Sequence, residues 1–196
     1  MQPPNAGEIP MSNPPAPSNT KRFVVVAVAL STVVAATVGG AALIVRQRSH
    51  DNVTKLFGGS EGLQALVAPE KVEAFRVRAM PNDENPDSQA TVGGATITTG
   101  PVAVDAGTAR DLAGILKDPH TYGWDFAKGC KFDPGVVLRF TAGTSTVDVI
   151  LCFHCEELQS YLNGKKVGGE DFDAATARIA AIVKRLFPND EEIQKL

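Results

Sequence analysis

Residues 23 to 45 read FVVVAVALSTVVAATVGGAALIV and carry no charge. Nothing else in the chain restricts its folding as much. At about 1.5 Å of rise per residue the run would make a helix roughly 35 Å long, enough to cross a hydrocarbon core of about 30 Å. Lys21 and Arg22 close it on one side, and Arg46 and Arg48 on the other. As the buried helix of a small domain it would be anomalous, because it has no polar face to turn outward. A lipoprotein anchor needs a cysteine directly after the run, and the first cysteine is Cys130. A cleaved signal usually has an apolar core of about 7–15 residues followed by a small-residue cleavage site. This run is longer, yet Gly39, Gly40, Ala41 and Ala42 resemble such a site, so cleavage stays open. A single transmembrane helix over 23–45 is the expectation.

The flanking charges tie, so the positive-inside rule does not orient the span. A short, polar, proline-rich tail and the cysteine usage favour a cytoplasmic N-terminus and an extracytoplasmic domain. Ala27, Ser31, Ala35 and Gly39 recur every fourth residue. Such a ridge of small side chains lets helix backbones approach closely in lipid, which suggests a homodimer through the span.

Charge is spread unevenly around a net −3. From residue 50 onward there are fifteen basic and twenty-one acidic residues, a net −6. An acidic domain without a basic run does not suit nucleic acid, whose phosphates need clustered Lys and Arg. It suits anionic lipid head groups no better, beyond the anchor itself. Residues 1–22 hold six prolines among Asn, Ser and Gly. They bury too little apolar surface to offset their ordering entropy and read as a disordered tail.

The chain therefore divides into a tail (1–22), a span (23–45), a linker (46–58) and one extracytoplasmic domain (59–196). Within the domain, Ser60 reads as the cap of a helix that stops before Pro69. KVEAFRVRA (71–79) alternates as a strand, with Glu73, Phe75 and Val77 on one face. A loop rich in Pro, Asn, Asp and Gly follows over 81–94, then a β-branched strand over 95–104. Asp105 opens a helix carrying Ala109, Leu112, Ala113 and Leu116, and Asp118-Pro119 ends it. Residues 120–129 are irregular, with Trp124 as a core anchor. Strands over 136–141 and 146–153 flank Ala142-Gly143-Thr144-Ser145, and a third strand covers 157–162. Asp173 reads as the cap of a last long helix with Ile179, Ile182, Val183 and Leu186 as its buried stripe. A final turn covers 190–195. These elements predict an α+β fold: a mainly antiparallel sheet with two packed helices, preceded by the transmembrane helix.

Cys130, Cys152 and Cys155 are the only cysteines, and His154 lies between two of them. Three chemistries compete, with free, buried thiols as the remaining alternative. The first is a structural disulfide. Centring the hairpin between Ala142 and Ser145 pairs Phe140 with Val147, Leu138 with Val149 and Val136 with Leu151, one coherent apolar face. Arg139 then opposes Asp148. On this register Cys130 shares a face with Cys155, and Cys152 points away. Cys130–Cys155 is the favoured pair, with Cys130–Cys152 the alternative if a bulge at Pro134-Gly135 shifts the register. The second is thiol redox chemistry at Cys-Phe-His-Cys. That needs an exposed thiolate at a helix N-terminus, whereas Glu156 and Glu157 follow here, and too little chain remains for a thioredoxin-like domain. The third is zinc on Cys130, Cys152, His154 and Cys155, but a second C-x-x-C is missing. No cofactor is expected, zinc being the weaker possibility.

Other patterns read as plain surface. Asp83, Asn85 and Asp87 begin like a calcium loop, but Ser88 and Gly94 stand where Gly and Glu belong. Glu170, Asp171 and Asp173 suit the start of a helix through its dipole. His50 and His120 lie in no nucleophile motif, and Gly93-Gly94 and Gly168-Gly169 lack the lysine of a phosphate loop.

Several stretches together carry a resemblance: Lys128-Gly129-Cys130, Pro134-Gly135-Val136, VDVILCF from Val147 to Phe153 with Cys155, GGEDFD from Gly168 to Asp173, and KRLFP from Lys184 to Pro188. They resemble a planctomycete-type family of exported or membrane-anchored bacterial proteins. The likeness covers about residues 70–196. It implies export and assigns no activity, so no catalytic residue follows from it. The function class expected is a membrane-anchored binding or scaffolding domain with a structural disulfide. The competing class is a thiol-redox or metal-dependent enzyme centred on Cys152, His154 and Cys155.

Overall fold

Seven antiparallel strands in the order β2-β3-β1-β4-β5-β6-β7 form the frame of the domain. They are β1 (Lys71–Ala79), β2 (Thr91–Val92), β3 (Ala95–Ala103), β4 (Val136–Ala142), β5 (Ser145–Cys152), β6 (Glu157–Leu162) and β7 (Lys165–Asp171). The computed structural model describes residues 47–79, 91–124 and 128–196. The tail, the span over 23–45 with its ridge of Ala27, Ser31, Ala35 and Gly39, and the calcium-like Asp83, Asn85 and Asp87 all lie outside the described residues. Among the described residues no helix is long and apolar enough to cross a membrane.

The central hairpin has the register its apolar alternation dictates. Val136 faces Leu151, Leu138 faces Val149 and Phe140 faces Val147. Arg139 lies opposite Asp148 and grips it with two bonds, Nε to Oδ1 at 2.6 Å and Nη2 to Oδ2 at 2.9 Å. The same guanidinium lies 5.5 Å from the centroid of the Phe75 ring. A one-residue slip would carry the charged pair into the main core, so this register is strongly specified.

One face of the sheet carries Val72, Ala74, Leu138, Phe140, Val149 and Leu158 against the helices, which build the main core. The other carries a smaller cluster of Phe75, Val77, Val92, Ala95, Val137 and Ile150, with Phe132 packed on it from the loop before β4. Both faces of β4 and β5 are therefore apolar, which explains their near-continuous hydrophobic sequence.

The described helices are α1 (47–56), α2 (Ser60–Val67), α3 (Ala106–Leu116), α4 (Thr176–Leu186) and the short α5 (Glu191–Gln194). They include α1 and α5 besides the three read from the sequence. The segment 46–58 is thus no linker where it is described. Val53, Leu56 and Phe57 are spaced i, i+3, i+4 and are all buried in the main core. Charged and polar neighbours on both sides hide this short stripe in the sequence.

Two caps differ from expectation. Gly59, not Ser60, precedes α2, and no side chain caps it. Asp173 begins a 3-10 turn, Asp173–Ala175, and α4 starts only after it. Asp105 does cap α3, accepting from the Gly107 and Thr108 amides.

Strand β7 is the other addition. Its sequence, KKVGGED, has neither alternation nor β-branched density, so nothing local marks it as a strand. Tertiary packing explains its glycines. A Cβ at Gly168 would lie 2.5 Å from the Leu56 carbonyl oxygen, so only glycine lets α1 end against this strand. The Ser160 hydroxyl on neighbouring β6 donates to that same carbonyl. As an edge strand β7 carries exposed Lys165 and Lys166, pairs with β6 through an irregular register, and has its Asp171 carbonyl taken by the Gly123 amide. Charge and irregularity of this kind protect a sheet edge from further pairing.

Candidate functional site

Strand β5 runs apolar to its last residue, Cys152, which is fully buried. The chain then turns through 153–156, with Glu156 at a positive φ of 54°. Strict strand alternation would send Cys152 and Cys155 to opposite faces, and this turn overrides it. The Cys155 amide donates to Cys152 Sγ at 3.3 Å, and the Asp133 amide donates to the same sulfur at 3.4 Å. Cys155 is bonded to Cys130, with Cα atoms 5.8 Å apart. Cys152 is the free thiol.

His154 is exposed at the tip of the turn. It lines a cleft of about 450 Å³ together with Arg76, Arg78, Asp133, Phe153 and Glu192. Phe153 also lines a second cleft of about 560 Å³, with Glu156, Asp173, Ala177, Ala181 and Lys184. The Phe153 ring meets Phe172 edge-on at 5.9 Å, which holds the turn against the core. Phe153 thus borders both open clefts, His154 borders the first, and Cys152 and Cys155 line neither. Among the described residues, no three His, Cys, Asp or Glu side chains are grouped so that they could hold a metal ion. Two of the four sequence candidates for zinc, Cys130 and Cys155, are engaged with each other.

Charged side chains fasten the site on both sides. Lys128 Nζ donates to the Cys155 carbonyl at 2.9 Å and to Asp173 Oδ1 at 2.6 Å, with Glu156 Oε2 at 3.5 Å. Arg76, on the helix face of β1, donates from Nε to Asp190 Oδ2 at 2.6 Å and from Nη2 to Glu192 Oε2 at 2.8 Å. Its Nη1 donates to the Gly135 carbonyl, which ties α5 to the loop between Cys130 and β4. The sequence reading passes over both residues as site elements. Arg76 leaves a signal, since an arginine in phase with the inward residues of a strand must find partners. Lys128 leaves none, because its partners lie 27 and 45 residues away.

The acids respond differently to this setting. Burial opposes ionisation of Asp190, but the Ile193 amide and Arg76 outweigh it and hold its carboxyl below the usual range. Asp173 is likewise lowered: burial acts against it, and the Lys128 bond prevails. Glu170 is raised, first by burial and then by the charges of Asp171 and Glu157. Asp171 is 3% exposed, and its Oδ2 has no partner.

Opposite pH signatures follow from these shifts. A lowered folded-state pKa adds stability above the ordinary Asp value of about 3.9, and that stability is lost as pH falls through the folded pKa. Asp173→Asn is therefore expected to lower stability at pH 7 by about 1 kcal/mol or less, the pair being partly exposed and screened by water, with no difference in strong acid. A raised folded-state pKa destabilises the ionised form, so Glu170→Gln is expected to raise Tm at pH 7. That gain vanishes below the carboxylate range. Thermal melts from pH 3 to pH 7 check both signs.

No protein-family model, no curated protein and no solved structure matches the chain.

Proposed function

We propose that the chain is a single-pass, membrane-anchored protein whose disulfide-braced α+β domain binds or scaffolds a partner outside the cytoplasm. The observation that carries this is the Cys130–Cys155 bond in a chain that also holds a charge-free run at 23–45. Bridges of this kind persist in oxidising compartments, and a run of that length suits a bilayer. The resemblance to exported bacterial proteins supports the same placement. Two open clefts bordered by Phe153 of the bridged turn favour binding, and the domain's net −6 favours partners other than nucleic acid.

Topology tests the placement. Protease added to intact spheroplasts of a bacterium expressing the full chain is expected to digest the domain from residue 50 onward. Cleavage confined to the first twenty residues would mean the reverse orientation.

A further inference from the structure

The free sulfur of Cys152 accepts backbone N–H groups from both arms of the bridge. Cys152 Sγ accepts an N–H from Cys155, the residue at one end of the bond, at 3.3 Å. It accepts a second from Asp133, on the loop that leaves Cys130, at 3.4 Å. The turn through 153–156 produces the first contact. The second follows from the loop pairing beside the end of β5, where the Gly135 amide donates to the Leu151 carbonyl at 2.9 Å. These two bonds fix the position of the sulfur beside Cys155 and beside the loop from Cys130, and a disulfide is exchanged by attack of a sulfur on one of its two sulfurs.

Access to the bond is unequal. Cys152 and Cys155 are 0% and 3% exposed, whereas Cys130 is half-buried. A dissolved thiol meets the Cys130 end first. The Cys155 end is reached from inside the fold, where Cys152 stands.

We propose that Cys152 is a resident exchange thiol for this bridge. Its thiolate attacks Cys155 Sγ, forming a Cys152–Cys155 bond and breaking the Cys130–Cys155 bond. Cys130 leaves as a thiolate and takes up the proton that Cys152 released. One thiol and one disulfide stand on each side of the step, so no oxidant or reductant is consumed. A turn brings residues i and i+3 within about 7 Å, near the Cα separation of about 4.4–6.8 Å that a disulfide spans. The Cys130–Cys155 pairing is the one the structure holds, and it is the resting state of the exchange. The exchange works as a latch on the segment 128–135. In one state that segment is covalently tied. In the other it is held by the Lys128 ion pairs and by Phe132 on the outer apolar cluster. Nothing in this step depends on the anchor or on the compartment.

Alkylation of the native wild-type protein tests it. The protein is held at pH 8 with iodoacetamide and no added thiol, then mapped by peptide mass spectrometry without reduction. The expected result is label accumulating on Cys130, with an intact Cys152–Cys155 bond in the same molecules, and loss of Cys130 label in Cys152→Ser. Label on Cys152 alone, label on Cys155, no label, or Cys130 label that persists in Cys152→Ser would each overturn the proposal. As a second reading, Cys130→Ala equilibrated in a glutathione redox buffer is expected to close Cys152–Cys155. Two thiols still free in a folded variant would contradict it.

Discussion

Phe57→Ala is expected to destabilise the domain by about 3–5 kcal/mol, the cost of emptying a large aromatic site in a core. Phe57 is 0% exposed and ranks among the largest fully buried side chains. It sits just past α1, so its loss also removes the wedge that holds α1 against the sheet. The cavity will not collapse easily, because the Leu56 carbonyl is pinned by Ser160 and the glycine beneath it has no side chain to advance. For a domain of about 150 residues, each kcal/mol moves Tm by about 2–4 °C, so a fall of roughly 6–20 °C is expected. Thermal melting or urea titration of the soluble domain from residue 47 onward reads it. A change within about 0.5 kcal/mol, the range for surface substitutions, would return residues 46–58 to the status of a linker.

Breaking the bridge is the second large effect. Cys130 and Cys155 close a loop of 25 residues that contains the whole β4–β5 hairpin. Chain-entropy reasoning gives a stabilisation of about 3 kcal/mol for a loop of this order. Cys130→Ala and Cys155→Ala should therefore each lower Tm by roughly 6–12 °C. The double substitution should add little, since either change alone already opens the bond. Cys152→Ala should behave as a small core truncation that also strips two amides of their acceptor, with no loss of the covalent loop. Melting of the four variants with and without reductant separates these cases. Equal damage from Cys152→Ala and Cys130→Ala, with Cys155→Ala silent, would mean that Cys130 pairs with Cys152.

The parts of this fold that were legible in the sequence are those whose information is local and periodic. The hairpin is the clearest case: one turn and two apolar runs leave a single register that buries Phe140 and Leu138 while pairing Arg139 with Asp148. Extended to Cys130 and Cys155 that register favours their pairing, but the fold brings them together by another route, since 128–135 is loop and 153–156 is a turn. Helix α3 was readable because Asp105 marks its start and Asp118-Pro119 its end. Elements defined by distant contacts were not. Strand β7 exists because β6 and α1 are there to receive it, and its Gly168 answers to the Leu56 carbonyl, more than a hundred residues away in the chain. Helix α1 and the residue after it show only three apolar residues in helical phase, too few to read beside their charged neighbours.

The site divides in the same way. Its cysteines announce themselves by rarity, but a loop and a turn, not strand register, bring the bonded pair together. Lys128 and Arg76, which brace the turn from either side, are ordinary basic residues until the fold brings Asp173, Asp190 and Glu192 to them. The two amides on Cys152 are backbone groups, and no side-chain pattern encodes them.

Counting thiols inside living cells tests the placement and the bridge together. The full chain is expressed in a bacterium, the cells are quenched in acid, and the denatured protein is labelled with a mass-tagged maleimide. An exported domain with its bridge closed predicts one tag per chain, and three after reduction. Three tags without reduction would mean that the domain sits in a reducing compartment with its bridge open, and would contradict the proposed placement.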